Sequence, residues 1–309
     1  MAHCDTRTPG LRGEVVRWLA AGRWIGYAAR MQPPFDTGKP RVDVLSERTP
    51  RTGEVLCTGG ATSRSWPMTP RSELVEKLER QGAMSVRAVL DESKLEILWS
   101  SIRPETAAGA VRGRSGDAYG ARGLLTERPE IEAALAKMGI AALAARILGA
   151  AVFPIDATFF DKRADVNWAV PAHQDVVVPI PAGAPASAIR NARERHGIRY
   201  GEPADQVLKE LVAVRVHFDD AGADNGGLAI VQGSHRGGRL TDAEVGAFPP
   251  EVFRPFDCRA GDVLLMKPLV VHRSGRSSLP ARRRVLHVLY APRGGWHARW
   301  GLRAAHVGR

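Results

Sequence analysis

The sequence predicts an α+β chain, mainly β: a β-sandwich or jelly roll with flanking helices on its N-terminal side. Three observations lead there. After Gly149 the period changes from helical to strand-like. Short β-rich runs then follow at 151–160, 173–180, 211–218, 228–231, 251–257, 263–266, 269–272 and 284–291, without the alternating helices of a parallel sheet. Turn residues such as Asp224-Asn225-Gly226-Gly227 and Ala260-Gly261-Asp262 separate several of these runs.

Residues 1–67 carry Arg, Pro, Gly and Thr with little periodicity beyond one helical stretch from Leu11 to Arg30, and read as a largely disordered extension. Residues 68–309 read as the folded domain. Thr69 is a good N-cap and Pro70 a good first helical residue ahead of the amphipathic run Leu74, Val75, Leu78. A strand from Ala83 to Leu90 comes next, and Asp91 caps a second helix through Leu98 and Trp99. The Gly- and Arg-rich segment 103–123 reads as a loop. Helices at Pro129–Lys137 and Ile140–Leu148 follow, the second stopped by Gly149. Inside the β-region, 181–210 reads as an insertion with a helix at Asp205–Glu210, and no repeat of solenoid period is present.

A chain of 309 residues is long enough for one large domain, and 44% hydrophobic with 25% charged residues excludes disorder throughout. The net charge of +11 raises the question of a nucleic-acid partner. The charge is nearly all Arg, however, spread along the whole chain with no interleaved aromatic residues, so no nucleic-acid partner is expected. Cys4, Cys57 and Cys258 are far apart and form no CxxC pair, which suits a reducing compartment. The most apolar stretch, Ile140 to Ile155, is interrupted by Arg146 and too short to span a bilayer. Arg12, Glu14, Arg17 and Arg23 break every apolar run near the N-terminus, so a cytoplasmic chain without a membrane partner is expected.

A strand places residues i and i+2 on one face, so His-x-Asp on a strand offers an imidazole and a carboxylate side by side. With a second His from a distant strand, this makes a facial triad that holds Fe(II) and leaves positions open. The spacing alone is weak, since about one such pair in every two chains of this composition arises by accident. Three occur here: His3/Asp5, His173/Asp175 and His217/Asp219. The first lies in the terminal extension. The second opens an apolar strand, and the third runs into the turn Asp220–Gly227, where Asp is common for turn reasons alone. For the remaining ligand His272 fits, at the end of the apolar run Val263 to Val271, with His235 and His287 as rivals. The triplet Arg282-Arg283-Arg284 reads either as a solvated basic turn or as the source of a planar cationic fork for a carboxylate.

Several segments together resemble the phytanoyl-CoA dioxygenase family of Fe(II)- and 2-oxoglutarate-dependent oxygenases. They are Phe159-Phe160-Asp161-Lys162, Asn167-Trp168-Ala169-Val170-Pro171-Ala172-His173-Gln174-Asp175, and Arg215-Val216-His217-Phe218-Asp219-Asp220. With them go Asp224-Asn225-Gly226-Gly227-Leu228, Val231-Gln232-Gly233-Ser234-His235-Arg236, Ala260-Gly261-Asp262-Val263-Leu264-Leu265, His272-Arg273-Ser274 and Arg283-Arg284-Val285-Leu286-His287. The likeness covers about residues 69–297 and is specific from 150 onward.

The resemblance implies a double-stranded β-helix with iron ligands His173, Asp175 and His272. It leaves His217/Asp219 as structural or pocket-lining. It implies 2-oxoglutarate as co-substrate, with Arg283, eleven residues past the last ligand, and Ser274 on its distal carboxylate. Thr158 and Arg215 fall at positions lining the co-substrate pocket in relatives. Arg122 is a weaker candidate, and contact with Lys162 is left open. Ala172, where relatives often carry an aromatic, is expected to open the pocket, while Phe160 and Trp168 read as either substrate wall or core. The implied activity uses O2 to hydroxylate a small molecule, releasing succinate and CO2. Retention of the acidic ligand favours hydroxylation over halogenation, which needs the vacated carboxylate site. The alternative is a metal-binding, cupin-like sensor or binding module that keeps the triad without needing Arg283.

Overall fold

A computed structural model describes residues 70–294 apart from 108, 113–117 and 196. The extension expected at 1–67, His3/Asp5 and Thr69 lie outside the described residues. Helix α1 (Arg71–Gln81) turns Leu74 and Leu78 inward, and Pro70, with ψ 145°, stands before the helix instead of opening it. Strand β1 (Ala83–Val86) is shorter than expected. The chain leaves the ladder at Ala88 (φ 51°), whose N–H donates to Asp262 Oδ1 at 2.8 Å. Helix α2 (Glu92–Ile102) starts where the Asp91 side chain accepts the Lys94 N–H at 3.0 Å.

Segment 103–123 is more than a loop: it contains a hairpin of β2 (Ala110–Arg112) and β3 (Ala118–Ala121). Its order comes from long-range pairing, Gly120 with Phe160 and Ala121 with Phe159, which local periodicity does not carry. After the short α3 (Leu124–Glu127), α4 (Pro129–Lys137) and α5 (Ile140–Leu148) fall where the 3.6-residue pattern predicts. Helix α5 buries Ile140, Leu143, Ala144 and Ile147, the i, i+3, i+4, i+7 stripe of a one-sided helix. Each large side chain so buried contributes roughly 1.5–3 kcal/mol. Gly149 closes α5 with φ 69°, a conformation costly to any residue with a Cβ.

Among the described residues eleven strands follow: β4 (Val152–Lys162), β5 (Val170–His173), β6 (Val178–Pro179), β7 (Arg190–Arg195), β8 (Ile198–Glu202), β9 (Val212–His217), β10 (Leu228–Val231), β11 (Phe253–Pro255), β12 (Val263–Met266), β13 (His272–Ser274) and β14 (Arg283–Pro292). Two short helices interrupt them, α6 (Asp205–Lys209) and α7 (Asp242–Gly246). The strands form open antiparallel sheets with orders β1-β12-β9-β14-β4-β3-β2, β11-β10-β13-β5 and β6-β8-β7. Helix α5 packs across β4, β9 and β14, placing helices on one face of the large sheet. The other face and the four-stranded sheet enclose a cavity of about 160 Å³. This is the predicted jelly roll with flanking helices. The 181–210 insertion is itself a hairpin, β7–β8, followed by the expected helix α6.

The turn before β12 staples the fold. Gly261 sits at φ 84°, and a Cβ there would meet Leu90 O at 2.0 Å. Asp262, 2% exposed, accepts from Arg87 Nη1 (2.6 Å), Ala88 N (2.8 Å) and Arg259 N (2.8 Å). Burial would raise its carboxyl, but these donors hold it below the usual carboxylate range. We expect Asp262→Ala to cost about 2–3 kcal/mol of stability, read as a lower urea midpoint at neutral pH. Because the folded-state value is depressed, this contribution is present above the unfolded carboxylate's pKa and is lost as pH falls through the folded one. The gap between wild type and variant therefore narrows in acid.

Candidate metal centre

The register of β13 against β5 sets His272 directly opposite His173, with ring centroids 4.1 Å apart. Each imidazole has its Nδ1 on the carbonyl two residues earlier: His173 on Pro171 O at 2.8 Å and His272 on Val270 O at 2.9 Å. A carbonyl only accepts, so both Nδ1 atoms carry the hydrogen and both Nε2 lone pairs are bare. Those lone pairs face one carboxylate. His173 Nε2 lies 3.6 Å from Asp175 Oδ1 and His272 Nε2 lies 3.7 Å from Asp175 Oδ2. The three residues offer ligand atoms all within 4.8 Å of one another, the one such cluster among the described residues.

Asp175 reaches this position differently from the sequence expectation. Strand β5 ends at His173 instead of starting there, and Asp175 lies in the irregular stretch after it. The side chain of Gln174 holds that stretch. Its Nε2 donates to Gly238 O (2.9 Å) and Leu269 O (2.7 Å), and its Oε1 accepts from Leu240 N (2.8 Å). With the Asp175 N–H on Pro268 O at 2.9 Å, the residues flanking Gln174 turn to the same side, as they would on a strand. Likewise β13 begins at His272, so the apolar residues 269–271 precede the strand and do not form it.

Electrostatics suit a cation here. Burial would raise the Asp175 carboxyl, but His272, His287, His173 and Arg215 around it hold it below the usual range. Burial and the neighbouring His173 push His272 down to about 3, leaving it neutral and its lone pair available at neutral pH. His287, a rival ligand in sequence, stands beside the cluster. Arg215 Nη1 donates to its Nδ1 at 3.0 Å, so its Nε2 carries the hydrogen, 3.9 Å from Asp175 Oδ2. His235 is bound elsewhere, its Nε2 on Glu79 O at 3.1 Å.

The inner face of the large sheet supplies the rest. Alternation along β4 turns Asp156, Thr158, Phe160 and Lys162 into the cavity. Thr158 pairs with His287, and His287 with Arg215, forming one row across β4, β14 and β9. Lys162 pairs with Arg283 and donates to Ser274 Oγ (2.9 Å) and Gly275 O (2.7 Å). Burial, then Arg283 and Arg215, push the Lys162 ammonium down to about 6. The Arg triplet divides by strand logic. Arg282 forks onto Asp161 at 3.0 and 2.8 Å, and Arg284 onto Asp219 at 2.9 and 2.8 Å, while Arg283 between them lines the cavity. Arg283 is 3% exposed, and its Nε and that of Arg215 are buried without hydrogen-bond partners. Burial and Arg215 depress the Arg283 guanidinium to about 9.

Thr158, His173, Asp175, Arg215, His272, Ser274 and Arg283, all picked from sequence, thus line one cavity, with Arg122, Lys162, Phe160 and Trp168. The His217/Asp219 pair is structural: Asp219 clamps Arg284, and His217 is buried and held to about 3 by burial, Arg215 and Arg283. Ala172 does not open the pocket, for it packs outward against the Val231, Val245, Phe253 and Val271 cluster. Lys162 and His287 are the residues sequence reasoning undervalued. Lys162 had only its place in the Phe-Phe-Asp-Lys segment as a signal.

A family model for phytanoyl-CoA dioxygenase (PhyH) matches residues 78–285. No curated protein matches the chain. Among solved structures it is similar to the non-heme alpha ketoglutarate dependent carbocyclase SnoK from nogalamycin biosynthesis (17% identity, 71% of this chain, 83% of that one, TM-score 0.52). It is similar also to AviO1 from Streptomyces viridochromogenes Tue57 (22% identity, 72% and 96%, TM-score 0.52). A third is EctD from S. alaskensis, solved with 2-oxoglutarate and 5-hydroxyectoine (15% identity, 75% and 79%, TM-score 0.55). At these identities the structural likeness speaks for the fold.

Proposed function

The chain belongs to the phytanoyl-CoA dioxygenase family, and from that premise we propose that it is an Fe(II)- and 2-oxoglutarate-dependent oxygenase that hydroxylates a small-molecule substrate, with succinate and CO2 as co-products. One observation carries the reading: a His-Asp-His cluster shares a cavity with the buried guanidinium of Arg283, whose Nε has no hydrogen-bond partner. The donor set, two imidazole nitrogens and one carboxylate, suits Fe(II) and leaves positions open. The orphan guanidinium nitrogens of Arg283 and Arg215 suit the charge of a dicarboxylate.

In this reading His173, Asp175 and His272 hold the metal. Arg283 and Ser274, with Lys162, take the distal carboxylate of 2-oxoglutarate, while Arg215 and Thr158 line its path. Together, bound iron, 2-oxoglutarate and O2 supply the oxidising power for attack on a C–H bond. The protein's task is placement. Gln174 and the two Nδ1 hydrogen bonds fix the ligand atoms before metal arrives. Arg215 orients His287 so that its Nε2–H faces Asp175. Phe160 and Trp168 keep water from the cavity wall. Asp175 occupies the position a halide would need, which supports hydroxylation as the outcome. Among the described residues no helix is long and apolar enough to cross a membrane. The scattered cysteines support action in the cytoplasm.

The test is anaerobic addition of Fe(II) and 2-oxoglutarate. We expect a weak visible charge-transfer absorption that neither component gives alone, then succinate release on admitting O2. Folded protein that gives no absorption with both would sink the proposal.

A further inference from the structure

The cavity has an end that Arg283 and Lys162 do not reach. Thr158, His287 and Arg215 form the row beside the metal cluster. Along β4, Lys162 lies four positions to one side of Thr158 and Asp156 two positions to the other, all on the cavity face. Asp156 and Lys162 are thus roughly 20 Å apart at the rise of a strand, too far for one short dicarboxylate to touch both. Asp156 nevertheless stays near the metal ligands, close enough for the charge of Asp175 to act on its carboxyl.

A second sheet closes this end. Ile198 and Tyr200 stand at i and i+2 on β8, and both reach the cavity. The Tyr200 hydroxyl donates to Asp156 Oδ1 at 3.4 Å, joining β8 to β4. That contact is long, since O–H···O bonds settle at about 2.7–2.8 Å. Donor and acceptor are well defined. Burial, then Asp156, raises the Tyr200 phenol above its ordinary value, so it keeps its proton. Burial pushes the Asp156 carboxyl up to about 6, against the pull of the Ala157 N–H and Arg122, so at neutral pH it is chiefly an acceptor.

The charged side chains at this end are already engaged. Arg122 acts on both Asp156 and Tyr200, and Arg122, Arg193 and Arg195 each have interaction partners in the protein. An ionic ligand would meet a group of its own sign here: a carboxylate would face Asp156, and an ammonium would face Arg122. A hydroxyl meets neither. Through one oxygen it donates to Asp156 and accepts from Tyr200, replacing one long hydrogen bond with two short ones.

We propose that Asp156 and Tyr200 select a neutral substrate carrying a hydroxyl group, which donates to Asp156 and accepts from Tyr200. The carbon skeleton beside that hydroxyl lies against Val177, Ile198 and Leu289, the apolar lining residues two positions from Asp175, Tyr200 and His287. The inference deepens the oxygenase reading and rests on it for the word substrate, though hydroxyl recognition itself can be measured without metal. It also gives the 181–210 insertion a task. Pairing of Tyr200 with Arg193 on one side and Pro179 on the other fixes its height over Asp156, which a loose loop would not.

The full-length, metal-free protein is titrated with cyclohexanol, methoxycyclohexane, cyclohexylammonium and cyclohexanecarboxylate, with binding followed by ligand-detected NMR. Cyclohexanol should bind at least about tenfold more tightly than the other three. Tyr200→Phe and Asp156→Leu should each lose about tenfold of the cyclohexanol affinity. Thermal melts check that the variants fold, and Tyr200→Phe, which removes a single oxygen, decides the matter should Asp156→Leu not fold. The proposal is overturned if cyclohexanol does not bind, if the ether or either ion matches it, or if folded Tyr200→Phe binds it like wild type. Charge-transfer absorption in protein without a preference for cyclohexanol discards the hydroxyl site and keeps the oxygenase. Selective cyclohexanol binding in protein without that absorption keeps the site and discards the oxygenase.

Discussion

Asp175→Ala should lower Fe(II) affinity by roughly two to three orders of magnitude while the strands around it stay in place. Removing a group that merely orients a ligand costs 10–100-fold, and removing the anionic ligand itself costs more. The fold survives because Asp175 is positioned by its backbone and its neighbour: its N–H goes to Pro268 O, and Gln174 makes the staples. Its carboxylate instead serves the imidazoles on either side. Wild type should therefore melt higher with Fe(II) under anaerobic conditions, by an amount equivalent to about 2.7 kcal/mol at a hundredfold excess over Kd. The variant should show no such rise. Asp175→Asn, which keeps the shape and loses the charge, should fall close to the alanine variant. A metal-dependent rise of wild-type size in Asp175→Ala would remove this residue from the ligand set.

What the sequence makes legible follows the range of the interaction behind it. Helices α4 and α5, the Asp91 cap and the Gly149 stop depend on neighbours within a turn, and each falls where the pattern predicts. The hairpin β2–β3 is ordered by partners on β4, and its Gly- and Arg-rich residues carry no period-2 signal. The hairpin β7–β8 is polar on its exposed face, so hydrophobic alternation does not betray it either.

The same division runs through the site. Spacing offered two plausible His-x-Asp pairs, and only the register His272 opposite His173 distinguishes them, because it joins residues about a hundred positions apart. Resemblance to a family supplied that long-range information as a motif order. It did not reveal Lys162, whose role depends on facing Arg283 across β4 and β14. Nor did it say that Ala172 points away, a consequence of strand alternation next to His173.

Arg283→Met should separate the two readings of the site, a working oxygenase and a metal-binding module. In wild type a guanidinium is buried beside Arg215 and Lys162 with its Nε unpartnered, an arrangement that costs stability until an anion arrives. The two effects of its removal therefore have opposite signs. Without co-substrate, Arg283→Met should melt at or above the wild-type temperature, since an apolar side chain of similar length replaces an uncompensated charge. With 2-oxoglutarate, wild type should gain stability and the variant should not. Losing a buried, charge-assisted fork is worth about 3–4 kcal/mol, or roughly two to three orders of magnitude in 2-oxoglutarate affinity.

Fe(II) affinity should be unchanged, because Arg283 touches none of the three ligands. Arg283→Lys, a point charge without the planar fork, should recover only part of the loss. The sign of the pH dependence follows from the same burial. The folded-state value of Arg283, about 9, lies below its unfolded value, so the unfolded chain binds more protons between them. Wild-type stability without co-substrate thus gains from this group as pH rises above about 9, and the variant lacks that gain. Should Arg283→Met bind 2-oxoglutarate like wild type, with metal bound normally, the co-substrate anchor lies elsewhere and the metal-binding module becomes the better account.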